Sequence, residues 1–119
     1  MSFYANGDGW LKVKKEANID ELKKVLEENE DIQWAFPECA DIDMDIRDGA
    51  YRIDLTSGLT SFNEEILVSG LKALIPYVEV GEGVDYYDES NDQFRYVFEE
   101  DGIYEYDGTV SYHKKYKVE

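Results

Sequence analysis

Asp41, Asp43 and Asp45 occupy alternate positions of the stretch Asp41-Ile42-Asp43-Met44-Asp45-Ile46. Three carboxylates at that spacing could wrap a cation in a loop, or stand in a row on one face of a strand. A calcium loop takes acidic ligands at positions one, three and five, glycine at six and glutamate at twelve. Here position six is Ile46 and position twelve is Arg52, so the loop reading fails and no metal or cofactor is expected. In a strand, successive side chains point to opposite faces. That reading sends Ile42, Met44 and Ile46 into a core. It leaves the three aspartates outside, roughly 6.5–7 Å apart.

Other reactive groups are few. His113 is the only histidine and Cys39 the only cysteine. A His-based triad would have to be built around His113 alone, beside Lys114 and Lys115 at a strand end. Glu38 and Asp41 lie near Cys39 and disfavour a thiolate. No glycine run has P-loop or dinucleotide spacing. These residues point away from an enzyme and towards binding. A second acidic stretch, Asp85-Tyr86-Tyr87-Asp88-Glu89, adds aromatic area to charge. Tyrosine is a favoured interface anchor, and carboxylates engage Arg and Lys on a partner. Tyr96, Tyr104, Tyr106 and Tyr112 lie among Glu99, Glu105 and Asp107 in the same manner. The partner-binding candidates are Asp41, Asp43, Asp45, Asp85, Tyr86, Tyr87, Asp88 and Glu89.

The elements that must position these residues alternate between the two periods of regular structure. Phe3–Lys15 reads as a strand interrupted at Gly7-Asp8-Gly9, with Leu11 and Val13 on one face. Asn18, with Glu21 three residues on, caps a helix whose stripe is Ile19, Leu22, Val25 and Leu26. Ile32–Phe36 alternates and predicts a strand ended by Pro37. Asp48-Gly49 then joins Asp41–Ile46 to a strand over Ala50–Leu55. Ser57-Gly58 breaks the pattern. Ser61 and Glu64 form a capping box for a second helix, with Phe62, Ile66, Leu67, Leu71, Leu74 and Ile75 as its stripe and Pro76 at its end. Tyr77–Val80 begins another strand. Asp-Gly turns at 101–102 and 107–108 make a closing meander of Gln93–Glu99, Ile103–Tyr106 and Thr109–His113. Phe94, Tyr96 and Phe98 share one of its faces. The expectation is one α+β domain over residues 1–119, with a ferredoxin-like split β-α-β plan. In that plan two helices pack on an antiparallel sheet extended by the C-terminal three-strand meander.

The 119-residue chain carries a formal charge of −16, and its lysines gather towards its two ends. Between Val25 and His113 there are 23 acids against Arg47, Arg52, Lys72 and Arg95. Such a field repels nucleic acid and anionic membrane, and attracts basic partners. The opening residues do not read as a signal peptide, and no apolar run reaches the roughly 18 residues that span a membrane. A cytoplasmic location is expected.

Phe3-Tyr4-Ala5-Asn6-Gly7 and the run Phe94-Arg95-Tyr96-Val97-Phe98, followed by Gly102, Tyr104-Glu105, Gly108 and Tyr112, resemble small acidic proteins of phages and other mobile elements. That resemblance covers about a third of the chain, at its two ends, and carries no active site. Proteins of that setting are similar in character to anti-CRISPR and anti-restriction inhibitors. The resemblance implies an inhibitor of a basic nucleic-acid-binding protein, above all a CRISPR nuclease, that occupies its nucleic-acid surface. Two alternatives stand beside it. One is an immunity protein against a basic toxin nuclease, and the other is a small enzyme built on His113.

Overall fold

The structure is a computed structural model that describes residues 3–37, 40–88, 92–107 and 114–118. It is an α+β fold with two antiparallel sheets where one was expected. In chain order the elements are β1 (Phe3–Asp8), β2 (Trp10–Lys12), α1 (Ile19–Glu28), α2 (Glu30–Ala35), β3 (Ala40–Asp45), β4 (Ala50–Leu55), β5 (Ser57–Phe62), α3 (Glu64–Ala73), β6 (Gly83–Asp88), β7 (Gln93–Glu99), β8 (Gly102–Asp107) and β9 (Lys114–Val118). The larger sheet runs β5-β1-β6-β7-β8-β9 and the smaller β2-β4-β3.

The two sheets share a spine. From Tyr4 to Val13 the chain alternates without a break: Ala5, Leu11 and Val13 are buried, as are Gly7 and Gly9, while Tyr4, Asn6, Asp8 and Trp10 are exposed. Residues 50–62 follow this run along one edge. Gly7 pairs with Ser57, the Leu55 N–H donates to the Gly9 carbonyl at 2.8 Å, and Trp10 pairs with Asp54. Along the other edge Asp8 pairs with Asp85, and Val13 bridges Val78. The outer faces of both sheets are therefore continuous through Asp8 and Trp10. The buried sides of the strands and helices meet in one core that includes Leu11, Leu22, Ile32, Ile53, Leu71 and Tyr96.

Several boundaries differ from the sequence reading. Ile32–Phe36 is not a strand: Glu30–Ala35 is α2, a short helix. Ile32, Ala35 and Phe36 are buried at helical spacing, and the Asn29 side chain accepts from the Ile32 N–H at 3.0 Å. That cap decides between two periods that both fit the apolar residues. It also places Glu30 and Asp31 in a first turn, where the helix dipole favours acids. The second long helix starts after Asn63 rather than Ser61, with the Ile66 N–H donating to the Asn63 side chain at 3.2 Å. Ser61 instead pairs with Tyr4, because β1 claims Ser57–Phe62 as a strand. Tyr77–Val80 holds only the Val78 bridge amid turns. Thr109–His113 lies outside the described residues, and the last described strand is β9. No helix among the described residues is long and apolar enough to cross a membrane.

Gly83 marks a close approach on the outer face. A Cβ there would lie 2.6 Å from Arg95 Nε and 2.8 Å from the Tyr96 carbonyl oxygen. The carbonyl belongs to the paired strand and cannot turn aside. Gly83→Ala should therefore destabilise the fold by about 2 kcal/mol, as overpacking does, and a thermal melt will show it.

Candidate acidic face

The outer face is built outward from Trp10. Asp54 stands directly opposite it on β4, and Asp41 stands opposite Asp54 on β3. One repeat back along the spine is Asp8, directly opposite Asp85 on β6. Directly paired residues have Cβ atoms about 4.5–5.5 Å apart, and same-face neighbours along a strand about 6.6 Å. Asp54 and Asp8 thus neighbour an indole that is 41% exposed, with Asp41 and Asp85 one strand further out on the same face. Like charges directly opposite one another destabilise a sheet, and this face contains two such pairs.

Lys12, Arg52 and Arg95 of this face already lie beside acids. Arg95 Nε is 3.5 Å from Asp85 Oδ1, and Lys12 Nζ is 4.0 Å from Glu79. Arg52 binds Asp45 and Asp48. Among the described residues no ion pair reaches Asp8, Asp41, Asp43 or Asp54. Asp54 accepts from the Thr56 hydroxyl at 2.6 Å, and Asp41 from the Ile42 N–H at 2.9 Å. Both keep acceptor capacity for a bidentate guanidinium.

Further along the same face Arg95, Val97, Glu99 and Tyr106 line a groove of about 910 Å³ with Val80 and Asp101. The Tyr106 hydroxyl donates to Glu99 at 2.6 Å and that of Tyr104 to Asp101 at 2.9 Å. Tyrosines hold acids in place here, whereas the sequence grouping pointed to anchors for a partner.

The eight residues singled out from the sequence have different fates. Asp41 and Asp43 are exposed on the face, and Asp85 lies partly exposed on it with Tyr87 beside it. Asp88 accepts from the Asp92 N–H at 3.0 Å and closes the β6–β7 connection. Glu89 lies outside the described residues, as do Cys39 and His113. Tyr86 is a correction. It is only 4% exposed and stacks on Phe94 with ring centroids 5.5 Å apart, so it packs the core and is closed to a partner. Burial pushes its phenol well above the usual range.

Asp45 is the second correction. It is 8% exposed and leaves the row, while Met44 and Ile46, expected inside, are 51% and 93% exposed. The N–H and Nε of Arg47 donate to Asp45 Oδ1 at 3.0 and 3.1 Å. Arg47 Nη2 and Arg52 Nε donate to Oδ2 at 2.9 and 3.1 Å. Arg52 Nη2 donates onward to Asp48 at 2.7 Å. Two arginines and two aspartates balance, so the carboxylate can leave water. The Arg47 hydrogen bonds, side chain first and backbone second, hold Asp45 well below the usual carboxylate range. A depressed carboxylate stabilises the fold above its unfolded value near 4 and loses that contribution as pH falls below it. The hairpin should therefore loosen in acid before the core does. Faster amide exchange at Arg47 and Gly49 at pH 2.5 than at pH 6, after correction for intrinsic rates, is the expected observation.

Trp10, Asp8 and Asp54 were missed from the sequence. The Gly7-Asp8-Gly9 run reads as an interruption, although alternation continues through it. Among the described residues no group of three acidic, histidine or cysteine side chains converges to hold a metal ion. The face offers carboxylates and an aromatic ring, which suit guanidinium and ammonium groups. Compared with protein-family models, curated proteins and solved structures, the chain matches none of them.

Proposed function

We propose that this chain is a binding protein that engages a basic nucleic-acid-binding protein and inhibits it by covering the surface that holds nucleic acid. The resemblance to small proteins of mobile elements puts a CRISPR nuclease first among such partners. The observation that carries the reading is that Asp8, Asp41 and Asp54, on the face that carries Trp10, have no ion pair among the described residues. Nucleic-acid grooves are lined with Lys and Arg that neutralise phosphates. A sheet face with carboxylates at strand spacing offers those groups a comparable row of charge, and Trp10 adds a ring for cation–π contact.

The test uses purified guide-loaded CRISPR nuclease in a binding and target-cleavage assay. The expected result is binding that slows in onset as salt rises from 50 to 200 mM, with cleavage blocked. The chain alone should leave DNA and RNA unshifted in a gel at micromolar concentration. A shift of free nucleic acid, or binding that leaves cleavage intact, would overturn the reading.

A further inference from the structure

The β3–β4 hairpin ends in apolar residues that the acidic face does not use. Ile46 is 93% exposed, and Met44 and Tyr51, directly paired beneath it, are 51% and 37% exposed. An isoleucine so exposed adds nothing to the core. Its backbone is nevertheless held firmly. Asp45 is fastened by Arg47 and Arg52, the Gly49 N–H donates to the Asp45 carbonyl at 2.8 Å, and Gly49 takes φ +70°. The Ala50 N–H donates to Asp48 at 3.0 Å. Withdrawing a carboxylate from water has a cost, and here it brings a fixed turn rather than a larger core. A fixed turn loses little freedom when it docks.

The surrounding charge selects the occupant. Arg47 is exposed next to Ile46 but paired with Asp45, and Asp48 is paired with Arg52. The charge left over beside the tip is that of the exposed Asp41 and Asp43, in a chain that carries −16 as a whole. A second copy, nucleic acid and anionic lipid are all repelled by that charge. Asp41 lies five residues from Ile46, about 16 Å along a strand. One partner surface of ordinary size, about 800 Å², covers both.

We propose that the hairpin tip is a second anchor, with Ile46 entering an apolar pocket rimmed by Lys and Arg on the same basic protein that the acidic face engages. This rests on the reading above and adds to it a docking point of different chemistry.

The test places a benzophenone amino acid at position 46, at position 87 on the acidic face, or at exposed position 23 of α1 as control. Each protein is irradiated with purified guide-loaded CRISPR nuclease, and the adducts are mapped. Adducts at both 46 and 87 but not 23 are expected. An adduct at 87 alone overturns the anchor and leaves the acidic face standing. An adduct at 46 alone keeps the anchor and overturns the role of the face. No adduct at either position overturns both, and a crosslink from 46 to a second copy overturns the anchor. In parallel, Ile46→Ala should speed dissociation about 50-fold, the effect of withdrawing three buried carbons. Unchanged dissociation of that variant would overturn the anchor. A site this exposed tolerates the change, and circular dichroism will verify the fold.

Discussion

Trp10→Ala combined with Asp54→Lys should weaken binding to the basic partner by roughly 1,000-fold, and Asp54→Lys alone should leave the fold as stable as before, or more so. Truncating a central tryptophan at an interface costs about 2 kcal/mol or more. Reversing a carboxylate that meets a cation costs about 2–5 kcal/mol. The stability arm has the opposite sign. Asp54 faces Asp41 directly across the β3–β4 pair. Replacing one of two facing acids with a lysine relieves their repulsion and adds attraction, together worth about 0.5–1 kcal/mol. A melt that rises for Asp54→Lys alone, with affinity falling, would mark Asp54 as retained for binding at the expense of stability. Affinity unchanged in the double variant would show that the partner meets another face.

Tyr96→Ala should remove about 4 kcal/mol of stability, whereas Tyr96→Phe should remove only about 1–2 kcal/mol. Tyr96 is fully buried on β7, with the rings of Phe94 and Tyr86 edge-on at 5.9 and 6.0 Å. Its hydroxyl donates to Glu64 at 2.6 Å in the first turn of α3. The alanine variant loses the ring and leaves a cavity, lowering the melting temperature by roughly 15 °C. The phenylalanine variant loses only a charge-assisted hydrogen bond. Burial first, and then the Glu64 hydrogen bond, push the Tyr96 phenol far above its usual range. A raised phenol contributes stability that is present below the unfolded value near 10 and is lost as pH rises beyond it. Denaturant titrations at pH 8 and pH 11 should show that loss, and Tyr96→Phe should reduce it.

The legible parts of this fold were those where one local rule had no competitor. Asn18 capped α1 because no strand claimed it, and Phe94, Tyr96 and Phe98 alternated inside a strand flanked by strong turns. Elsewhere two rules fitted the same residues. Ile32, Trp34 and Phe36 satisfy the strand period, while Ile32, Ala35 and Phe36 satisfy the helical one, and a side-chain cap settled the matter. Asp45 obeyed alternation in direction and not in exposure. Its arginines lie two and seven residues away, and no periodicity announces that they converge. The acidic face was half visible. Asp41 and Asp85 stand out in the sequence for separate reasons, and only the register of the shared spine brings both to the face that carries Trp10.

That spine also bears on how the chain is made. Residues 4–13 leave the ribosome before the segments that flank them, one flank being filled by residues 50–62 and the other by residues 77–88. At about 5–20 residues per second, the second flank arrives some 4–15 s after the spine itself. During that interval a strand with first two open edges and then one, and an apolar side, is held in the crowded cell, a template for stray pairing. The nascent chain meanwhile accumulates acid, and its mutual repulsion with neighbouring copies guards those edges until their partners exist.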